Sequence, residues 1–464
     1  MSPSQIDPSW VTTGKPLDPV LTIENLRHAK PDINFIRFQW VDYSGVLRAK
    51  VLVIEECLAL LAGGSFLHAP PIAFHCSVDG SLLPGANLDG VHWMIPDWSS
   101  VKQSSSLGTA TVMCGVTSTM VGSAALNNDL CPRQALVKVL REATKTWELE
   151  FLIGFEVEFQ VMKLSGRKQQ KEGEHEDEED CLGSYVPYSR GLGRYTVSGL
   201  RDPCWTYVEE AVKRLRAFGV HITAIHAEGM RGQYEIALGP LPPLQAVDQL
   251  VLVHSTLKDI FNRRGCTVTM SPRPVPTGPF SEQMNGQHMH LSLQPVRPDQ
   301  EEFFLGGMLR RLPSLWGFFL SQESSYQRVA PLKAGALVGW GSENRSVPIR
   351  KINAAHWEIR SIDATANMYL TLAAVLGAGL LGLAEKEPLV WPDMSTVDDT
   401  AFEKAPLPAS LRDSLSVLAG DFGGLDTMLG KAMVQQYVDL KQYELEQVEN
   451  MGSEKARNLL VELF

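Results

Sequence analysis

The chain has 464 residues, 44% of them apolar and 20% charged, with a formal net charge of -11. That is enough chain for a large core and for more than one domain, and an acidic surface argues against nucleic acid or an anionic membrane as the main partner. Seven cysteines occur singly, with no CxxC pair, which argues against a disulfide framework or a thiolate zinc site and fits a reducing compartment.

The opening MSPSQIDPSW lacks the basic and apolar regions of a secretory signal, so a cytoplasmic location is expected. Ile36, Phe38 and Trp40 alternate with Arg37 and Gln39, the period of a half-buried strand. Asp42-Tyr43-Ser44-Gly45 supplies a turn, and Val46 to Val53 reads as the return strand of a hairpin. Residues 78–124, rich in Gly, Ser, Asp, Asn and Pro, read as loops and short strands.

From Pro132 the texture becomes helix alternating with strand. A helix is expected over Pro132–Thr146, with proline in its first turn. Phe151–Met162 is a clean strand, apolar on the face of Phe151, Ile153, Phe155, Val157, Phe159 and Val161, with Glu156, Glu158 and Gln160 opposite. A mobile surface insertion, first basic and then acidic, is expected over 164–194. A helix from Asp202 to about Gly219 follows, then strands near 221–228 and 233–238, a helix near 244–264 and strands near 266–271 and 287–293. The rest reads as a helix over 303–321, strands near 335–341 and 357–362, and a mostly helical tail from Ser410. Met368–Ala384 is largely uncharged but short of the ~20 residues a bilayer needs, so it reads as a buried core helix.

Three stretches repeat one pattern, two chemically capable side chains two residues apart in an apolar strand: Glu156 and Glu158, His288 and His290, Glu358 and Arg360. A period of two puts each pair on one face. HAEGMRGQYEIAL adds Glu228 and Glu235 on either side of a glycine turn. Five glutamates and one histidine make a hard, oxygen-rich donor set suited to Mg²⁺ or Mn²⁺. Arg328, Arg345, Arg350 and Arg360 lie in the same half of the chain, and carboxylates with distributed arginines suggest metal-bound phosphates. Each piece alone has a blander reading. Glu-x-Glu is usually the wet face of an antiparallel sheet, paired histidines are often buried structural groups, and single arginines are mostly surface residues. It is the joint occurrence that points to a site.

These residues resemble the glutamine synthetase family over nearly the whole chain, in WVDYSGVLRAKV, GFEVEFQ, HAEGMRGQYEI, FSEQMNGQHMHLSL, SYQRVAP, WGSENRSVPIR and HWEIRSIDATANMYL. The resemblance implies an α+β fold: an N-terminal β-grasp domain over 1–125, then a catalytic domain over 126–464 with a curved antiparallel sheet and flanking helices. It implies two or more Mg²⁺ or Mn²⁺ ions and ATP as co-substrate. Glu158, Glu228 and Glu235 would hold the metal nearer the substrate carboxylate, and Glu156, His288 and Glu358 the metal at the nucleotide phosphates. Arg328 and Arg360 would grip a glutamate-like carboxylate, while Arg345 and Arg350 would stabilise the phosphoryl group in transfer. The implied reaction makes an acyl phosphate that an amine displaces. The implied assembly is a homo-oligomeric ring with active sites between subunits.

Three positions depart from the family pattern. The flap glutamate that helps deprotonate ammonium maps to Ala334 counting forward from Arg328, or to Lys333 counting back from Arg345. The Asn-Gly pair that contacts the substrate amino group maps to Gln283 and Met284. His356 stands where an ATP-facing arginine is usual. With the metal set and phosphate arginines kept and the acceptor pocket changed, the pattern looks like the branch that joins glutamate to larger primary amines, such as γ-glutamylpolyamine ligases. Two alternatives stay open: ordinary glutamine formation from ammonia, and a non-catalytic scaffold or regulator on the same fold.

Overall fold

The computed structural model describes residues 11–464 apart from 64, 66, 105–107, 120–125, 128, 166–182, 230, 276–283, 331–332, 398–404 and 421. Helix α1 (Pro19–Ala29) starts where the Asp18 carboxylate accepts from the Leu21 amide at 2.8 Å. The expected hairpin follows as β1 (Phe35–Val41) and β2 (Leu47–Val53), with Phe38 opposite Lys50 and Trp40 opposite Arg48. Its turn is held by Asp42, whose Oδ1 accepts from the Ser44 and Val46 amides at 3.0 and 2.9 Å. Gly45 takes φ +78°, and a Cβ there would meet the Thr365 carbonyl oxygen at 2.4 Å, so the turn needs glycine for both conformation and clearance.

Helix α2 (Ile54–Ala62) and strands β3 (Leu67–Ala69), β4 (Val91–Pro96), β5 (Lys102–Gln103), β6 (Thr109–Thr119) and β7 (Leu126–Asn127) complete this first layer. The sheet order is β2-β1-β6-β4-β3, with β5 and β7 also pairing with β6. β1 runs parallel to β6 and antiparallel to β2, the mixed sheet expected of a β-grasp domain. The loop-rich reading of 78–124 is corrected here. β6 is an eleven-residue strand at the centre of the sheet. Its threonines and valines suit a strand paired on both sides, and the glycine- and serine-rich flanks hid it.

Helix α3 (Pro132–Trp147) leads into β8 (Glu150–Leu164), the long strand on which the second sheet is organised. β9 (Tyr185–Pro187) pairs with the far end of β8, so the described part of the expected insertion carries a strand; residues 166–182 lie outside the described residues. Then come α4 (Trp205–Ala217), β10 (Ile222–Ala227), β11 (Gln233–Leu238), α5 (Pro243–Asn262), β12 (Thr267–Thr269) and β13 (Met289–Gln294). The single helix expected over 303–321 is two, α6 (Pro298–Arg310) and α7 (Leu312–Phe319). Pro313 lacks an N–H and is tolerated only in a first turn, so a new helix starts there.

Strands β14 (Trp340–Ser342), β15 (Ile349–Asn353) and β16 (His356–Ile359) close a sheet of order β10-β11-β8-β13-β16-β15-β14, antiparallel except for β14 and β15. The apolar face of β8 is buried throughout. Helix α8 (Met368–Glu385) is apolar and long enough to cross a membrane by composition, but 83% of that stretch is buried inside the fold, so it is a core helix. Helices α9 (Leu411–Gly420), α10 (Leu425–Leu429), α11 (Lys431–Asn450) and α12 (Ser453–Leu463) form the tail.

Candidate active site

Register decides which side chains meet. β8 lies between β11 and β13. On one side Glu158 is paired with Glu235 and Glu156 with Ala237. On the other the Glu156 amide donates to the His288 carbonyl at 3.0 Å, and the Glu158 amide to that of Gly286 at 3.4 Å. β13 continues outward, with His290 opposite Glu358, and β15 places Arg350 opposite Glu358. β10 sets His226 opposite Glu235, one residue before Glu228 leaves the strand. Directly opposed residues sit ~5 Å apart at Cβ, so six strands of one sheet deliver their polar faces to one place.

The result is two groups. In the first, Glu156, His288 and Glu358 each offer a ligand atom within 4.8 Å of the others. His288 Nδ1 is 2.9 Å from Glu156 and 3.2 Å from Glu358, and its Nε2 is 3.6 Å from Glu158. In the second, His226, Glu228 and Glu235 satisfy the same criterion, with His226 Nδ1 3.5 Å from Glu228 and Nε2 3.3 Å from Glu235. Glu158, expected with Glu228 and Glu235, stands between the groups. Its Oε2 accepts from the Gly286 amide at 2.8 Å and from Gln233 at 3.1 Å.

His226 was not among the expected residues. The signal was available: His226 and Glu228 repeat the i, i+2 spacing that marked the other three pairs.

Charge is distributed unevenly across the two groups. Burial opposes a charged His288 ring, but hydrogen bonds to Glu156 and Glu358 outweigh it and lift its pKa to about 9. Burial is likewise overcome at Glu358, which His288 and Arg360 pull down to about 2, and at Glu156, which His288 and His290 hold well below the usual carboxylate range. Glu235 goes the other way. Burial raises it, His226 only partly offsets that, and repulsion from Glu156 and Glu158 adds to it.

A divalent cation fits both places. The first offers two ionised carboxylates and an imidazole, and the second offers crowded carboxylates whose mutual repulsion a cation would relieve. Gly286 forms part of the same cradle. A Cβ there would come within 2.6 Å of Arg328 Nη2, 2.9 Å of His288 Nε2 and 3.0 Å of Glu158 Oε1.

The arginines divide. Arg350 Nη1 donates to Glu358 at 2.8 Å, and Arg360 also contacts Glu358. Arg328 is buried against the wall of the site, donating to the Ser361 and Ile362 carbonyls at 3.0 and 3.3 Å. Arg345 is exposed in the turn between β14 and β15, within electrostatic reach of Tyr195. Gln283 lies outside the described residues. At the flap, Ala334 is buried with φ +53° and its carbonyl accepts from Ser361, whereas Lys333 is exposed. His356 meets His290, Nε2 to Nδ1 at 3.2 Å, and His290 in turn reaches Glu156 at 3.1 Å. A second unforeseen residue is Tyr195. Its amide donates to the Ala227 carbonyl at 2.9 Å, and its ring stands edge-on to His226 with centroids 4.5 Å apart.

This geometry can be set beside known proteins. The sequence model described as "Glutamine synthetase, catalytic domain" matches residues 129–458. The chain belongs to the glutamine synthetase family. It is 30% identical over 463 residues to "Protein fluG" of Emericella nidulans, across 95% of this chain and 50% of that protein. It is also 30% identical over 270 residues to "Gamma-glutamylpolyamine synthetase GlnA3" of Streptomyces coelicolor, across 52% of this chain and 56% of that one. The matches thus span about half the length of each of these relatives. Among solved structures, one described as a "novel glutamine synthase homolog" superposes with a TM-score of 0.74 at 22% identity, over 93% of this chain and 99% of that one, a likeness of fold. The α+β architecture expected from the sequence is therefore the family's own.

Proposed function

We propose that this chain is an ATP-dependent ligase that joins the γ-carboxylate of glutamate to a primary amine. The observation that carries the reading is the convergence of Glu156, Glu158, Glu228, Glu235, His288 and Glu358 within one sheet, with Arg328, Arg350 and Arg360 against them and Arg345 exposed within reach of Tyr195. Bound Mg²⁺ or Mn²⁺ would supply charge neutralisation at the transferring phosphoryl group. Glu156, His288 and Glu358 are the proposed ligands on the nucleotide side. Glu228 and Glu235, with Glu158 or His226, are those on the carboxylate side.

In this reading Arg328 and Arg360 orient the amino-acid carboxylates, and Gln283 is a further substrate contact. Arg345 and Arg350 balance charge as the γ-phosphoryl group passes to the carboxylate oxygen and ADP leaves. The amine nitrogen then attacks the acyl carbon, and inorganic phosphate departs. The buried flap position holds Ala334, which cannot take a proton, so the pocket has no carboxylate there to draw in or deprotonate ammonium, and this favours a larger amine held by other contacts. Tyr195 supports the same preference, because an exposed ring beside Glu228 and Glu235 suits an alkylammonium group.

Phosphate release from ATP, Mg²⁺ and glutamate should be stimulated by alkylamines or diamines with kcat/KM at least ~10-fold above that for ammonium, a difference of ~1.4 kcal/mol in transition-state stabilisation. A higher value for ammonium would replace the amine reading with glutamine formation. No amine-dependent turnover at all would favour a scaffold. Y195A should raise KM for the amine by about 2- to 5-fold, the worth of an exposed cation–π contact, with KM for ATP unchanged in the same assay.

A further inference from the structure

A second cavity lies away from the carboxylate groups, between α5, the β1–β2 hairpin, the start of α8 and the last residues of the chain. Its volume is about 100 Å³, room for some three waters or one small ion. Its most buried polar wall is Gln287, 1% exposed, and neither amide atom of that side chain has a hydrogen-bond partner. His254 Nε2 lacks one too; burial and then Lys258 push that ring down to about 3, and the Gln287 side chain beside it only partly offsets this. A buried amide with both ends unpaired is rare in a folded protein and calls for a partner in the cavity.

Lys258 is the charged side chain among the lining residues, and its Nζ donates to the Glu462 carbonyl at 3.0 Å. The carboxylate that acts on Lys258 is that of Glu462, through space rather than as a close ion pair. Burial pushes the Lys258 ammonium down to about 7, with Glu462 only partly offsetting. The amino end of α8, an eighteen-residue helix, opens into the same space at Met368 and Tyr369. Asn367 caps the Leu370 amide, and Met368 and Tyr369, as first-turn positions, have no intrahelical acceptor for their N–H groups. No aspartate or glutamate side chain lines the cavity.

We propose that this cavity is a binding site for a small oxyanion of about the size of phosphate, held by Lys258, Gln287, His254 and the α8 amino terminus. A tetrahedral or planar oxyanion would accept from the ammonium, the Gln287 amide, an imidazole N–H and the helix end together, which a water cluster satisfies less completely. The site adjoins the catalytic one through the chain itself. Gln287 immediately precedes His288, and its backbone N–H donates to the Ile362 carbonyl at 2.9 Å, next to the Asp363 carboxylate that stands 3.7 Å from Arg328.

Inorganic phosphate is the probe, and its binding to the catalytic arginines is removed first by working in the R345A/R350A protein. There, phosphate at constant ionic strength should raise the melting temperature, with chloride as control. Adding K258M should weaken phosphate binding about tenfold or more, the loss of a charge-assisted hydrogen bond, and K258R should retain most of it. A crystal grown in phosphate should show tetrahedral density against Gln287. Absence of any phosphate-dependent shift in the R345A/R350A protein, equal shifts with and without K258M, or density for waters only would each overturn the proposal. None of these readouts requires turnover, so they stand or fall apart from the ligase reading.

Discussion

E358Q should lower turnover by about 10³-fold while leaving the protein folded. Glu358 is 1% exposed and is where the charges of the site are joined. It takes Arg350 at 2.8 Å and Arg360 on one side, and faces His288 Nδ1 at 3.2 Å on the other. Glutamine keeps the volume but removes the charge, and it presents an NH₂ to neighbours that are themselves donors. Two effects combine. A candidate metal ligand is lost, and the two guanidinium groups lose the anion that aims them, in a site where one misdirected electrostatic contact already costs ~10²–10³-fold in kcat. Mn²⁺ affinity should fall at least ~10–100-fold, the range seen even for residues that only support ligands.

Two measurements check this: single-turnover phosphate release, and Mn²⁺ titration followed by electron paramagnetic resonance. E343Q serves as the comparison. Glu343 also pairs with Arg350, but its side chain is 58% exposed, so its loss should change turnover only a few-fold. Wild-type Mn²⁺ affinity in E358Q would remove Glu358 from the metal set.

The second large effect is on stability and lies far from the chemistry. K441M should destabilise the fold by ~3–5 kcal/mol, the usual result of leaving one member of a buried ion pair alone. Lys441 and Glu444 on α11 are 0% and 1% exposed and paired to each other. The same carboxylate accepts from the Val78 amide at 2.9 Å, from Gln322 at 2.6 Å and from the Ser44 hydroxyl in the β1–β2 turn. Glu444 therefore ties the N-terminal hairpin to the tail helices across 400 residues of sequence. Without Lys441 it would keep only neutral donors in a place closed to water.

K441M/E444Q should regain most of the loss, because an amide oxygen can still accept from Val78 and no net charge stays buried. Urea denaturation reads both. A K441M midpoint equal to wild type would show that the pair contributes nothing net.

What could be read in advance depended on how local the signal was. β8 declared itself because six apolar residues alternate with Glu156, Glu158 and Gln160, and the strand runs from Glu150 to Leu164 as that pattern requires. α8 was legible as a core helix from its length and glycines. β15 was not, because IRKIN carries two cations in five residues and is a strand by virtue of β14 and β16 on its two sides. β6 stayed hidden between loop-like flanks, and its parallel partner β1 lies far upstream, before β2 and α2.

The candidate site divides along the same line. The chain by itself determined the cast: five glutamates, a histidine and four arginines, with the pairs at period two committed to one strand face each. It also determined the family, since so many motifs occur in order. Only the tertiary structure decided the partners. It joined His226 to Glu228 and Glu235, set Glu158 between two groups, turned Ala334 inward and Lys333 outward, and cleared the space at Gly286. Alternation along a strand is fixed by backbone geometry within a few residues. Which strands lie side by side, and in what register, is fixed by burying apolar faces that come from opposite ends of the chain.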